Sequence, residues 1–280
     1  MRLAILAPRA PLALLDPSLK TKADFGGGEY AAIGADSTIY SPSDGKIYDT
    51  SLNKTATMTV GGFSITTDAL GNAYVADPSG GSLHVVDRNG ALLNQFTIPD
   101  LYPSLSIDLG PDQCTLYYLD SSQYLVRRYD ICADRALSSI PAVHNLDFVR
   151  GLRDGGCIVG SASGSALLVY DSRAKLAGVI GVREAGSIES AGAFSSDGQY
   201  IFVGIYTGRE SAIEKVRLSD GAVVAKTPLG SLQLNSVSVF GEQRPTTDAL
   251  AAAASIPALS PLLYIALAAA LAIIALRRIG

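Results

Sequence analysis

The sequence predicts an all-β fold, a β-propeller of about six four-stranded blades, followed by one C-terminal transmembrane α-helix. Three observations carry the prediction: a repeat about 40 to 45 residues long, short apolar runs separated by turn residues, and a final stretch unlike any repeat. Four strands per copy at this period suit a propeller, because each sheet protects its edges by packing radially against its neighbours. Glycine, at 28 of 280 residues, exceeds the usual level of roughly 7% and stands beside Asp, Asn and Ser where tight turns are needed.

The clearest copy is "FSITTDALGNAYVADPSGGSLHVVDRNGALLNQFTI" (Phe63 to Ile98). It reads as an inner strand, a Gly turn, "AYVAD", a Gly-Gly turn, "LHVVD", an Asn-Gly turn and "LLNQFTI", the hairpin signature throughout. The same order recurs in "LSIDLGPDQCTLYYLDSSQYLVRRYDICADRALSSI", in "LDFVRGLRDGGCIVGSASGSALLVYDSRAKLAGVIGV" and in "GAFSSDGQYIFVGIYTGRESAIEKVRLSDGAVVAKTPLG". Asp112, Asp154 and Asp197 mark first turns 42 and 43 residues apart, and a shorter copy, "YAAIGADSTIYSPSDGKIYDTSLNKTATMTV", precedes them all. The blades are therefore placed near 28–61, 62–101, 103–142, 144–184 and 187–230 of a propeller domain covering 1–243.

Fragments remain at both ends. Residues 231–243 hold one inner strand and residues 1–27 the equivalent of three outer ones. Together they complete a sixth blade by pairing the two ends of the ring; the other reading is that the ring properly begins upstream of Met1.

Charge and composition exclude several functions. The net charge is -4, and the basic residues form no cluster beyond Arg127-Arg128 and Arg277-Arg278, so no nucleic-acid partner is expected. Three cysteines and two histidines, His84 and His144, show no zinc-ligand spacing, and neither a metal site nor a cofactor is assigned. Each histidine reads as a structural or surface residue.

The middle of the chain, residues 28 to 240, resembles bacterial propellers of the NHL and YVTN type, the group that includes streptogramin-lyase-like and surface-layer propellers. "AFSSDGQYIFVGIYTGRESAIEKVRLSDGAVVAKTPLG" is similar to the YVTN pattern, although Ile201-Phe202-Val203-Gly204 departs from it at the last residue. "PDQCTLYYLDSSQYLVRRYDICADRAL" looks like a blade of exported bacterial repeat proteins with one cysteine before the second strand and another after the third.

Cys114 and Cys132 flank a hairpin, so they face one another across paired strands within disulfide range. The bridge is preferred over two free thiols because the C-terminal segment argues for an oxidising compartment. Cys157, in the apolar run "CIVG", is expected as a buried thiol with no base to activate it.

That C-terminal segment has 28 residues without a charge, Ala249 to Leu276. As a helix, its most apolar part, about 259–276, extends about 27 Å, close to the hydrocarbon thickness of a bilayer. Arg277 and Arg278 come next, and the positive-inside rule keeps them cytoplasmic, placing the propeller outside the inner membrane. Residues 256–280 resemble the sorting signals called IPTL-CTERM, close in layout to the PEP-CTERM signals handled by exosortases. Ile256, Pro257, Ala258, Leu259 and Ser260 match the family's Ile-Pro-Thr-Leu-Ser start, with Ala258 replacing Thr. The resemblance implies recognition by an exosortase-like sorting protease, cleavage near Ile256, and release or attachment at the cell surface. Residues 244–255, rich in Ala, Thr and Ser, read as a spacer.

The opening "MRLAILAPRAPLALLDPSLK" has five apolar residues before Pro8 and Arg9, a poor signal peptide. The expectation is that the native protein extends upstream of Met1.

The function these features point to is a non-enzymatic binding or surface-architecture module, its unknown ligand held on a propeller face by loops on a rigid scaffold. No catalytic residue is assigned. The alternative is a propeller enzyme. A metal-dependent lactonase would draw oxygen ligands from residues such as Glu29, Asn145 and Asp197, and a streptogramin-lyase-like enzyme would use His144. The competing reading of these Asp and Asn residues is that they terminate turns. A quinone-cofactor propeller is disfavoured because its blade motif ends in Trp and the chain has none.

Overall fold

Short apolar runs, cut by Asp, Asn and Gly, build strands and little else among the described residues. The computed structural model describes residues 3–6, 12–15, 19, 21–25, 30–77, 81–101, 106–120, 122–141, 146–161, 166–182, 187–230 and 236–253. The chain begins with β1 (Leu3–Leu6), β2 (Leu12–Leu15) and β3 (Thr21–Phe25). Five contiguous blades come after them. The first is β4 (Ala32–Ile33), β5 (Ile39–Ser41), β6 (Lys46–Tyr48) and β7 (Lys54–Thr57), and the second is β8 (Ser64–Thr67), β9 (Ala73–Ala76), β10 (Ser82–Val86) and β11 (Leu92–Thr97). The third is β12 (Ile107–Leu109), β13 (Thr115–Asp120), β14 (Leu125–Asp130) and β15 (Arg135–Pro141). The fourth is β16 (Leu146–Gly151), β17 (Cys157–Ser161), β18 (Ala166–Tyr170) and β19 (Leu176–Gly181). The fifth is β20 (Ser187–Phe194), β21 (Tyr200–Tyr206), β22 (Ser211–Arg217) and β23 (Val223–Gly230), after which come β24 (Ser236–Val239) and α1 (Thr247–Ala253).

Each blade is an antiparallel meander in chain order, and a further four-stranded sheet has the order β24-β1-β2-β3, pairing the strand after blade five with the three before blade one. Where the repeats predict about six blades, five blades are shown, each an unbroken segment of sequence, and the last sheet is discontinuous. The architecture is an all-β propeller.

Burial depends on position in the blade. Second strands such as β13 and β21 are buried along nearly their whole length, while the outermost β11 is mostly exposed and β23 alternates between half-buried and exposed. The second strand is covered by neighbouring blades on both faces; the outermost strand forms the rim. This is why "TLYYLD" and "YIFVGIY" read as continuous apolar runs and "LLNQFT" does not. Apolar clusters lie between successive sheets. Tyr40 and Ile47 meet Val75, Leu83 meets Leu116, Tyr117 meets Val159, and Phe148 meets Ile201. Leu19 lies with Phe202, Val237 and Val239.

Turns carry a repeated device. Asp68 accepts from the N–H of Leu70 and of Asn72 at 2.9 and 2.8 Å, and its other oxygen accepts from the Asn72 amide at 2.9 Å. Asp49, Asp87 and Asp171 hold their turns through the same two backbone donors. At Gly221, φ is +68°, and a side chain there would run into the carbonyl of Gly181 in the preceding blade, so glycine is required twice over.

Cys114 and Cys132 are joined by a disulfide with the Cα atoms 5.2 Å apart, closing the β13–β14 hairpin. Cross-linking residues 18 apart stabilises the fold by about 3 kcal/mol in the chain-entropy model. Cys114→Ser is expected to lose that much in a denaturant titration, and a dithiol reductant should bring the parent protein to the same midpoint.

Two expectations concern the C-terminal end. The segment 244–255, read as a spacer, is instead packed on the ring through residue 253: its Ala and Thr residues form α1, and Leu250 is 2% exposed against blade four. Low sequence complexity marks a solvated linker only where no apolar groove receives it. The transmembrane helix over 259–276, the motif Ile256 to Ser260 and the pair Arg277 and Arg278 lie outside the described residues. Among the described residues no helix is long and apolar enough to cross a membrane.

Candidate functional site in the central channel

The first strands of the five blades, β4, β8, β12, β16 and β20, together with β24, line a central cavity of about 420 Å³. Inner strands of adjacent blades do not form a ladder with one another, so their polar groups need other partners. Hydroxyls supply several. Ser236 accepts from the N–H of Ala31 at 2.9 Å, Ser238 donates to the Ala31 carbonyl at 3.0 Å, Thr67 donates to the Ile33 carbonyl at 3.1 Å, and Ser106 accepts from the N–H of Val149 at 3.1 Å. The channel wall is thus polar, with Ile65, Ile107, Phe148 and Val237 between the hydroxyls.

One end of the channel is charged. Thr66, Asp108 and Arg150 each sit two residues before the first turn of their blade, in blades two, three and four, at a spacing of 42 residues. Thr66 donates to Asp108 at 3.0 Å, and the N–H of Gly151 donates to the same carboxylate at 2.7 Å. Arg150 pairs with Asp108 at 3.1 Å, and Arg244, arriving from beyond β24, pairs with it at 2.8 and 3.0 Å. Glu242 completes the group, one oxygen against Arg150 and the other accepting from the N–H of Phe194 at 3.0 Å.

Asp108 is fully buried. Burial pushes its carboxyl pKa up, but the guanidinium groups of Arg150 and Arg244 and the Gly151 N–H outweigh burial and hold it below the ordinary carboxylate range. Burial likewise opposes the charge of Arg150, and the carboxylates of Asp108 and Glu242 more than restore it. Two cations and two anions compensate one another. Tyrosines reinforce the blade order alongside: Tyr117 donates to the Gly155 carbonyl at 2.8 Å and Tyr40 to the Gly71 carbonyl at 2.5 Å, each reaching from a second strand to the first turn of the next blade.

The residues weighed from sequence lie elsewhere. Asp197 caps the β20–β21 turn, accepting from Ser195 at 2.5 Å and from the N–H of Gln199 at 3.1 Å, and it is exposed. The Ser195 hydroxyl bond holds its pKa low against the opposing effect of burial, and the Gln199 N–H adds to the lowering. Glu29, His144 and Asn145 fall outside the described residues. His84 is in blade two, 3.9 Å from Asp77 and away from the channel cavity. Cys157 is buried, and burial pushes its thiol up to about 12, so it is no nucleophile at neutral pH.

Asp108, Arg150, Glu242 and Arg244 were not singled out from sequence. The signal for the first two was present as ionisable residues inside inner strands, one repeat apart. For Glu242 and Arg244 there was none, since their partners are 48 to 136 residues away in the chain.

No family model and no curated protein matches the chain. The NHL and YVTN resemblance and the sorting-signal resemblance therefore have no family match behind them. Among solved structures the chain is similar to a protein of unknown function from Bacteroides caccae, at 11% identity and a TM-score of 0.66, covering 85% of this chain and 97% of that one. It is also similar to the dihydro-heme d1 dehydrogenase NirN in complex with DHE, at 12% identity and a TM-score of 0.56, covering 86% and 75%. A third likeness, to the hydrazine synthase of Kuenenia stuttgartiensis, has 17% identity and a TM-score of 0.49 over 60% of this chain and 49% of that one. At such identities the first two likenesses are of fold, the propeller, and fold does not carry function.

Proposed function

We propose that this protein is an exported, membrane-anchored or surface-sorted propeller that acts as a non-enzymatic binding module, taking a small neutral polar ligand in its central channel. One observation carries the reading: the four charged groups gathered at the channel's end, Asp108, Arg150, Glu242 and Arg244, compensate one another. Both oxygens of Asp108 and both of Glu242 face guanidinium or backbone N–H donors. Carboxylates held in this way are not turned toward a divalent cation, as a lactonase would need, and the remaining wall offers hydroxyls and apolar side chains. The Gln113 amide also lines the cavity, as does Asp68, whose carboxylate is taken up by the Leu70 and Asn72 donors of its own turn, and such a surface suits hydroxyl-bearing ligands without charge.

Export and anchoring rest on residues 256–280 as read from sequence and gain support from the Cys114–Cys132 bridge, which belongs to oxidising compartments. The sheet β24-β1-β2-β3 is the sixth blade in this reading. In support, Leu19 packs with Phe202 of blade five, Thr227 of blade five donates to the Leu19 carbonyl at 2.7 Å, and Ser236 and Ser238 bond Ala31 beside blade one.

One preparation tests both parts. Full-length protein is expected in the membrane fraction of the producing cell with its ring cleavable from outside, and the purified chain should not hydrolyse lactones when Ca²⁺, Mg²⁺ or Zn²⁺ is added. Recovery of the intact chain only from the cytosol would overturn the first part. Metal-dependent turnover that disappears in Glu242→Gln would overturn the second.

A further inference from the structure

The stretch after β24 holds on to the ring at more points than strand pairing needs. Gln243 donates its N–H to the Ser195 carbonyl of blade five at 3.2 Å, and the Pro245 carbonyl accepts from the N–H of Arg153 in blade four at 2.9 Å. Thr247 then donates twice to Asp154, from N–H at 2.9 Å and from its hydroxyl at 3.0 Å. Asp154 thereby caps α1 from outside the helix, satisfying a backbone donor that has no partner within it. Leu250 enters the apolar cluster of Leu152, Ile180 and Val182, and α1 lies against β18 and β19. On its way across, the segment places Glu242 and Arg244 in the channel, so half of the charged group comes from it.

We propose that residues 241–253 are a clasp: a second lock on the ring, separate from the pairing of β24 with β1, that ties the charged end of the channel to the chain's C-terminal segment. The segment spans three blades' worth of contacts in thirteen residues, and its polar anchors, Asp108 and Asp154, are themselves parts of the repeat scaffold. Removing it would leave Asp108, which has no exposure, with one guanidinium instead of two, and Arg150 without Glu242. A cut that releases the ring from its C-terminal extension must therefore fall beyond Ala253 if the ring is to stay intact. The clasp lies on the face that carries the β16–β17 turn, and the described chain ends there against β18 and β19. If residues 256–280 anchor the protein, which rests on the reading proposed above, this face is turned toward the anchor.

The test is a thermodynamic cycle on the full-length chain with Arg244→Ala, Asp108→Asn and the double variant, read by thermal unfolding and by limited proteolysis with mass analysis. Arg244→Ala is expected to lower the midpoint by about 5 °C, and the double variant should fall clearly short of the sum of the two singles, because both act through one contact. The proteolytic ring fragment should end at or beyond Ala253. Additive midpoints, or a stable fragment ending before Arg244 with an unchanged midpoint, would overturn the clasp. Should Asp108→Asn not fold, Leu250→Ala replaces it: it acts at the far end of the segment and should raise cleavage within 244–253, and failure to do so counts against the clasp equally. These readouts do not depend on where the protein resides, so a cytosolic location would remove the anchor reading and leave the clasp standing.

Discussion

Asp108→Ala is expected to destabilise the folded protein by about 3–5 kcal/mol, the cost of removing one partner from a buried ion group. The wild-type carboxylate takes Thr66, the Gly151 N–H, Arg150 and Arg244. Alanine leaves two guanidiniums facing one carboxylate, Glu242, and the Gly151 carbonyl that Arg244 also reaches, together with two unmet donors. A denaturant titration reads the loss directly, and a change under about 1 kcal/mol would mean that water reaches the site freely. The same residue sets part of the pH dependence. Its pKa is depressed in the folded state, so its contribution to stability is fully present above the ordinary Asp value of about 3.9 and is lost as the pH falls from there through the folded value. Asp108→Asn should accordingly flatten the acid limb of a stability profile while leaving the slope near neutral pH unchanged.

The second large effect is expected at Phe148, 1% exposed where blades four and five meet. Its ring lies between two glycines, Gly160 of β17 and Gly192 of β20, and a Cβ at either would overlap it. Phe148→Ala should cost about 3–5 kcal/mol through lost transfer energy and the cavity it opens. Gly192→Ala should cost about 1–3 kcal/mol by overpacking the same spot. Combined, the two should cost less than their sum, because the added methyl occupies space the ring has vacated. Calorimetry of the three variants decides it: strict additivity would show that Gly192 is required for its backbone and not for room. Since Phe148 also lines the channel, Phe148→Ala should enlarge the cavity that the proposed ligand would occupy.

The blade pattern was legible because its causes are local. "TLYYLD" and "YIFVGIY" announce strands covered on both faces, and the Asp-x-x-Gly and Asn-Gly turns appear in sequence as the turns they form, with Asp68 and Asn72 bonding within five residues. The hairpin that brings Cys114 to Cys132 is likewise a matter of adjacent strands. Asp197 shows the limit of the same logic. It looks like a candidate ligand and equally like a turn cap, and in the fold it is a cap, because its carboxylate finds Ser195 and the Gln199 N–H before anything else.

From the chain alone came the repeat, the antiparallel sheets, the propeller class and the covalent hairpin, since each depends on residues near one another or one repeat apart. Only the tertiary structure decided that Glu242 and Arg244 enter the channel, that a polar, alanine-rich stretch becomes a packed segment capped by Asp154, and that Asp108 is the point where they converge. The reason is distance along the chain: a ring brings residues 136 apart into hydrogen-bonding range, and neither periodicity nor composition encodes which charge will find which partner there.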